Sequence, residues 1–337
     1  MTERRWLPAE SQIISQIQRI TQKKRTSRDR LILSIGDDAA AFRPRPGYVM
    51  LVSSDALIEG IHFDRKSTSA EALGWKALAV SLSDIAAMGG GPLYLTTTLG
   101  IPPETPSRFV AGFYRGLNGL ASRHGVAVVG GDTCSSPKGL FIDVTILGEV
   151  KTREMLTRSG ARPGDSLYVT GTLGESAIGL EFLKRKSKIS LTRNRFIERH
   201  LRPIPRLSIG RYVSSHRLAS ALIDISDGIS TDLHHLCKQS QVGAVIEECK
   251  IPLPKLTIGM KAQLVTSLLD YALNGGEDYE LLFSVPAKRR HLVPSHIDGI
   301  PVQEIGKITG QRGTCWIKEA QRTRRLPAGG FDHFRNS

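Results

Sequence analysis

The strongest hydrophobic signal runs from Leu73 to Gly91, LGWKALAVSLSDIAAMGGG. Leu73, Ala77, Val80, Asp84 and Met88 follow at steps of four, three, four and four, one stripe of a helix. Leu78, Leu82 and Ile85 occupy the other side, so the spacing predicts a helix apolar nearly all round and therefore buried. Asp84 then stands on a buried stripe, where an unpaired carboxylate is costly. It needs either the donors of a neighbouring loop or a cation, and the helix alone leaves both readings open.

Elsewhere the pattern alternates between strand and helix. Ile13, Ile14, Ile17 and Ile20 predict an opening helix over 8–26. The apolar run Tyr48–Ser53 predicts a buried strand ending at Ser54-Asp55, and Leu93–Leu99 alternates as a strand does. Phe109, Phe113, Leu117 and Leu120 share one face of a helix over 106–123. Val126–Val129 reads as a short strand running into Gly130-Gly131-Asp132-Thr133, and Leu140–Val150 as another. The polar stretch 151–164 divides the chain into an N-terminal domain, 1–150, and a C-terminal domain, 151–337. In the second, strand Ser166–Thr170 leads through Gly171-Thr172-Leu173-Gly174 into helix Glu175–Lys184. Strand Ser220–Ile225 leads through Ser226-Asp227-Gly228 into a helix with Ile229, Leu233, Leu236 and Cys237 on one face. Leu281–Val285 and Cys315–Ile317 are further strands. This mixed order predicts an α/β (α+β) protein of two domains; strands and helices do not alternate strictly enough for a TIM barrel.

Composition narrows the class. The 337 residues are 40% hydrophobic and 23% charged, which describes a soluble globular protein of two ordinary domains. No run of about 18 apolar residues occurs and the N-terminus lacks an apolar signal segment, so no membrane span is expected. Cys134, Cys237, Cys249 and Cys315 form no CxxC pair and read as reduced thiols of a cytoplasmic protein. The net charge of +14 raises the question of nucleic acid. Its clusters are scattered through polar connections without interleaved aromatics, which argues for solvated surface charge over a nucleic-acid groove.

Against this basic background, aspartates recur beside apolar strands: Asp37 and Asp38, Asp55, Asp132, Asp224 and Asp227. Each alone fits a turn or cap. Together with Asp84 they form a set of oxygen ligands suited to Mg²⁺ shared with substrate phosphates. Gly130-Gly131, Gly171–Gly174 and Gly275-Gly276 would each let backbone approach a phosphate, or simply make a tight turn. No Walker loop, protein-kinase signature or zinc-ligand spacing is present. The residues point to a Mg²⁺-dependent enzyme acting on phosphate groups, outside the common nucleotide-binding folds.

Several blocks carry a family pattern. They are Ile35–Ala40 (IGDDAA), Ser53–Phe63 (SSDALIEGIHF), Lys76–Gly89 (KALAVSLSDIAAMG), Gly130–Thr133 (GGDT), Arg158–Gly171 (RSGARPGDSLYVTG), Arg199–Pro205 (RHLRPIP), Ile223–Leu233 (IDISDGISTDL), Gly275–Phe283 (GGEDYELLF) and Gly330–Phe334 (GFDHF). In this order they resemble the thiamine-monophosphate kinase family, within the aminoimidazole ribonucleotide synthetase-like superfamily. GGEDYEL and GFDHF are closest to that kinase.

The resemblance implies a two-domain fold whose N-terminal sheet pairs across a homodimer. It implies ATP-dependent phosphorylation of thiamine monophosphate to thiamine diphosphate, assisted by several Mg²⁺ ions. The N-terminal domain would bind ATP and Mg²⁺ and form the dimer. By position, Asp38, Ser54, Asp55, Asp84, Asp132, Asp224 and Asp227 correspond to metal ligands, and Asp84, Asp132 and Asp227 would carry catalysis. Gly131, Asp132, Arg158 and Ser226 correspond to nucleotide contacts; His62, Glu277 and Phe331 correspond to thiamine contacts. Two positions depart from the pattern: Ser54 stands where threonine is usual and Ser81 where asparagine is usual. Two other readings remain. One is a superfamily enzyme with another acceptor, although the reactive cysteines that selenophosphate synthetase or the hydrogenase maturation dehydratase would want are missing. The other is a non-enzymatic RNA-binding protein, which the intact aspartate set argues against.

Overall fold

The computed structural model describes residues 10–21, 30–35, 39–185 and 194–334. They divide into two compact units. One takes the described residues up to Ile85 with Gly91–Thr152; the other takes Ala86–Gly90 with those from Arg153 onward.

In chain order the first unit comprises α1 (Glu10–Thr21), β1 (Leu31–Leu33), β2 (Ala41–Phe42), β3 (Tyr48–Ile58), α2 (Ala70–Ala87), β4 (Gly91–Ile101), α3 (Ser107–His124), β5 (Ala127–Ser135) and β6 (Phe141–Lys151), the last two residues of α2 falling to the second unit. Four strands make one sheet in the order β3-β6-β4-β5. Only β4 and β5 run parallel, joined by α3; the other neighbours are antiparallel. The helix expected over 73–91 is α2, and Leu73, Ala77, Leu78, Leu82 and Ile85 on it are sealed from solvent. It can lie backbone to backbone on α3 because both carry glycines at the crossing. A Cβ on Gly74 would stand 1.9 Å from the Phe113 carbonyl oxygen, and one on Gly116 1.9 Å from that of Glu71.

Two strand expectations change. The Tyr48–Ser53 run continues to Ile58, and β3 is an edge strand with Val52 72% exposed. The Gly130–Thr133 block does not follow the strand as a turn; it lies inside β5. Gly131 makes this possible, because a Cβ there would fall 2.2 Å from the Thr97 carbonyl oxygen of β4.

The second unit comprises β7 (Ser166–Thr170), α4 (Glu175–Lys184), α5 (Arg195–Leu201), α6 (Leu207–Ser215), β8 (Ala221–Ile225), α7 (Ile229–Ser240), β9 (Gly243–Glu247), α8 (Ile258–Lys261), α9 (Leu268–Asn274), β10 (Glu280–Val285), β11 (His296–Ile297), β12 (Ile300–Thr309), β13 (Cys315–Lys318) and β14 (Thr323–Arg325). Its sheet has the order β14-β13-β9-β12-β7-β10-β8, with β11 added on β12. The apolar face of α7, Ile229, Leu233, Leu236 and Cys237, packs into a core with Leu167, Val169, Ile223 and Ile246. The long strand β12 is hidden in sequence by Gln303, Glu304 and Lys307, whose side chains leave no uninterrupted apolar run. Both larger sheets are thus mixed, as the α/β (α+β) reading requires, and β1 and β2 pair separately as a short antiparallel sheet. No helix among the described residues is long and apolar enough to cross a membrane.

Candidate active site

In the first unit the polar groups collect on the sheet and on α2. Strand pairing sets which face each takes. Ser53, Asp55 and Leu57 alternate to one face, in register with Ile146, Val144 and Ile142 of β6, all three fully buried. That face meets α2: Ser81 Oγ donates to the Val144 carbonyl at 3.1 Å, and its hydroxyl lowers the pKa of the Asp55 carboxyl. One turn further, the Ser53 hydroxyl donates to Asp84 Oδ2. Asp84 is half-buried rather than sealed, and Val80 and Met88 on the same stripe also keep some access.

Asp55 is the strained member. Its Oδ2 is buried without a hydrogen-bond partner. Burial first, then the charges of Asp84 and Asp143, push its carboxyl up to about 6, against the lowering effect of Ser81. Adjacent carboxylates with an orphaned oxygen suit a hard cation. No group of three or more His, Cys, Asp or Glu among the described residues converges closely enough to hold a metal alone. Mg²⁺ commonly takes one or two carboxylates and completes its shell from water and substrate phosphates, so Asp55, Asp84 and Ser53 fit it.

The opposite face carries a second group. Ser54 Oγ donates to Asp143 Oδ2 at 2.8 Å and lies 3.0 Å from Thr145 Oγ1. Asp143 pairs with Thr98 of β4, which pairs with Asp132 of β5. Asp132 therefore stands two strands from Asp143, about 10 Å at ordinary strand spacing. Its Oδ1 accepts from the Thr133 amide at 2.8 Å. The structure so divides the residues grouped from sequence: Asp55 and Asp84 together under α2, Ser54 and Asp132 on the other face. Asp38 lies outside the described residues. His62 sits in the loop after β3, its Nδ1 accepting from the Ile58 amide at 2.9 Å, which leaves the ring hydrogen on Nε2.

In the second unit the site forms at the end of β8. Asp224 is buried in the strand; Ser226 and Asp227 are half-buried in the loop beyond it. Asp232, in the first turn of α7, gathers this loop: its Oδ2 accepts from the amides of Ser226, Asp227 and Gly228 at 3.1, 3.2 and 3.2 Å. Burial, then Asp224 and Asp227, hold the Asp232 carboxyl well above its ordinary value. Asp227 is also raised, by burial first, while His235, His333 and Arg158 oppose that shift. The Arg158 side chain is exposed and lends its charge to this loop.

Two distant segments close on the loop. The Glu277 amide donates to the Ser226 carbonyl at 2.7 Å. The Phe331 amide donates to the Asp227 carbonyl at 3.0 Å, and the Gly330 amide to Thr231 Oγ1 at 3.0 Å. Ser226, Asp227, Glu277 and Phe331 are thereby brought together, with Phe331 39% exposed.

Two glycine segments have other work than the phosphate contacts considered from sequence. At the start of α4 the Gly174 and Ser176 amides are taken by the buried Asp278 carboxylate, at 2.5 and 3.1 Å. At Gly276 a Cβ would stand 2.7 Å from the Ser226 carbonyl, so glycine serves chain packing there. Sequence reasoning missed Ser53, Asp143, Asp232 and His200. Asp232 carried a local signal, an acidic residue in the first turn of a helix that follows a glycine loop; Ser53 and His200 lie inside the blocks Ser53–Phe63 and Arg199–Pro205, and Asp143 in none.

The geometry defines a class: a two-domain protein with oxygen-rich carboxylate groups and flanking glycine loops, suited to cation-assisted phosphate chemistry. Comparison bears on the fold directly. The chain matches the AIR synthase related protein N-terminal domain over 36–150 and the corresponding C-terminal domain over 162–318. A thiamine-monophosphate kinase of Escherichia coli (strain K12) is 38% identical over 327 residues, covering 95% of this chain and 97% of the relative. The crystal structure of thiamine-monophosphate kinase from Stenotrophomonas maltophilia K279a superposes with a TM-score of 0.78 at 34% identity, covering 96% of this chain and 98% of that one. A structure described as AaThiL complexed with AMPPCP and TMP gives 0.76 at 32% identity, covering 96% and 97%. The chain belongs to the thiamine-monophosphate kinase family.

Proposed function

We propose that this chain transfers the γ-phosphate of ATP to thiamine monophosphate, yielding thiamine diphosphate and ADP. The observation that carries this is the near full-length similarity to a structure complexed with AMPPCP and TMP, at 32% identity. The reaction is a direct in-line displacement. A phosphate oxygen of thiamine monophosphate bonds to the γ-phosphorus as the bond to the β–γ bridging oxygen breaks, and the electron pair leaves with ADP. The attacking oxygen is already ionised at neutral pH, so no strong base and no phosphoenzyme is required.

Asp38, Ser54, Asp55, Asp84, Asp132, Asp224 and Asp227 are the proposed holders of several Mg²⁺ ions, with Ser53 added by its bond to Asp84. The orphaned oxygen of Asp55 supports this reading. Bound Mg²⁺ would neutralise the repulsion between two anionic substrates. Gly131, Asp132, Arg158 and Ser226 contact the nucleotide; His62, Glu277 and Phe331 contact the thiamine moiety, where an aromatic face suits a cationic ring. The N-terminal domain, 1–150, carries nucleotide, metal and dimer contacts, and 151–337 forms the C-terminal domain. The protein is a cytoplasmic homodimer in this proposal, and the exposed apolar residues Val52 and Ile58 on edge strand β3 are consistent with a partner there.

The test is incubation with ATP, Mg²⁺ and thiamine monophosphate, quantifying thiamine diphosphate and ADP. Equal amounts of both products are expected. A folded sample that forms no thiamine diphosphate overturns the assignment.

A further inference from the structure

Glu277 has an unusual mount. Its φ is +66°, a conformation that few residues other than glycine adopt without compensation. The compensation comes from both sides. Its own amide bonds Ser226, the Tyr279 amide donates to the Ile225 carbonyl at 2.9 Å, and Asp278 between them is locked onto the start of α4. The backbone is therefore fixed, and the carboxylate direction depends on what the side chain meets.

It meets His200. Nδ1 of this histidine lies 3.2 Å from Glu277 Oε2 and 3.1 Å from Ser176 Oγ. A carboxylate can only accept, so Nδ1 carries the hydrogen in this contact and Ser176 can only accept from it. His200 is buried on α5, and α5 lies against α4 with no freedom to slide: a Cβ on Gly179 would stand 2.1 Å from the Phe196 carbonyl oxygen. Phe182 and Phe196 stack edge to face at 6.1 Å across the same contact. Ser176 belongs to both anchors, its amide on Asp278 and its hydroxyl on His200.

We propose that His200 is a positioning residue for thiamine monophosphate: from the α4–α5 pair it holds the Glu277 carboxylate in the orientation that meets the substrate. This rests on the reading of Glu277 as a substrate contact. It assigns a role to the Arg199–Pro205 block, which the function otherwise leaves unused.

The test compares KM for each substrate, kcat and thermal melting for the full-length protein and its His200→Phe, His200→Asn, Glu277→Gln and His200→Phe/Glu277→Gln variants. Loss of a hydrogen bond to a charged group predicts that His200→Phe raises KM for thiamine monophosphate about tenfold or more, with KM for ATP within about twofold. His200→Asn, which keeps an N–H near the Nδ1 position, recovers most of that. In the Glu277→Gln background His200→Phe adds nothing. Equal rises in both KM values, or a full His200 effect without the Glu277 carboxylate, overturns the inference. If Glu277→Gln raises KM for thiamine monophosphate and His200→Phe does not, His200 alone is misassigned. If Glu277→Gln leaves that KM unchanged, the substrate reading of Glu277 fails and the inference with it. Should His200→Phe not fold, His200→Gln decides: its amide reaches the Nε2 rather than the Nδ1 position and leaves Glu277 without its donor, so a selective rise of KM for thiamine monophosphate supports the positioning, and none refutes it.

Discussion

Replacing Asp55 by asparagine should make the metal-free protein more stable while reducing its response to Mg²⁺. The carboxyl is pushed from 3.8 up to about 6 by burial and by Asp84 and Asp143. A shift of about two units corresponds to about 3 kcal/mol between the two protonation states. Because the folded-state value stands above that of the unfolded chain, the fold retains a proton that the unfolded chain releases. The stability this group contributes is full below about pH 4 and is lost as pH rises to about 6. Above that, ionised Asp55 works against the fold. The amide side chain of the Asp55→Asn variant would be neutral at every pH and could offer an N–H toward Asp84.

The assay is thermal melting at pH 7.5 with EDTA and then with millimolar MgCl₂. In EDTA, Asp55→Asn is expected to melt several degrees above the wild type, up to roughly 10 °C at about 3 kcal/mol. Mg²⁺ should raise the wild type, as any ligand selective for the folded state does, and raise the variant by less, because the ion beside Asp55 is lost. At pH 4.5 in EDTA the two should nearly coincide. A variant that melts lower in EDTA at pH 7.5, or an equal Mg²⁺ gain in both proteins, refutes the account of Asp55 as a carboxylate kept for a cation.

Asp84→Asn and Asp132→Asn should each fold, by circular dichroism, yet lose about a hundredfold or more in kcat, reflecting several kcal/mol of lost charge stabilisation; full activity in either removes that residue from the mechanism. Phe331→Ala should raise KM for thiamine monophosphate about three- to thirtyfold, the worth of a cation on an aromatic face, without moving KM for ATP in the same steady-state assay. Asp232→Ala should destabilise the second unit by about 2–4 kcal/mol in urea titration, since three amides lose their shared acceptor.

Much of this fold was legible because its elements obey one period each. The α2 stripe, the apolar face of α7 and the strand Ser166–Thr170 lie where the spacing puts them. Strand β12 was not, because Gln303, Glu304 and Lys307 break its apolar pattern. The site was half legible. Aspartates beside apolar runs marked candidate positions, but the hydrogen-bond partners around them came from far along the chain: His200 for Glu277, Thr231 for the Gly330-Phe331 segment, Asp143 for Ser54. Such pairings need the tertiary fold, and no local pattern encodes them.

The serines at 53 and 54 show where local reading must stop. In a strand, neighbours face opposite sides, so only one of the two can serve Asp84. A run with clean alternation would have told which. The run YVMLVS has none, because β3 is an edge strand whose outward residue, Val52, is apolar and still 72% exposed. Register against β6 supplies the missing parity: Ser53 pairs with buried Ile146 and turns under α2, while Ser54 pairs with Thr145 and turns away. The hydroxyl that reaches Asp84 is therefore the one that the family pattern, read by position alone, passed over. If Ser54 also serves a metal ion, it does so with Asp143 on the opposite face of the sheet. Ser53→Ala should then weaken whatever depends on Asp84, and Ser54→Ala whatever depends on Asp143. The Mg²⁺ titrations of the two variants should differ in midpoint, and identical curves would show that the two faces do not act separately.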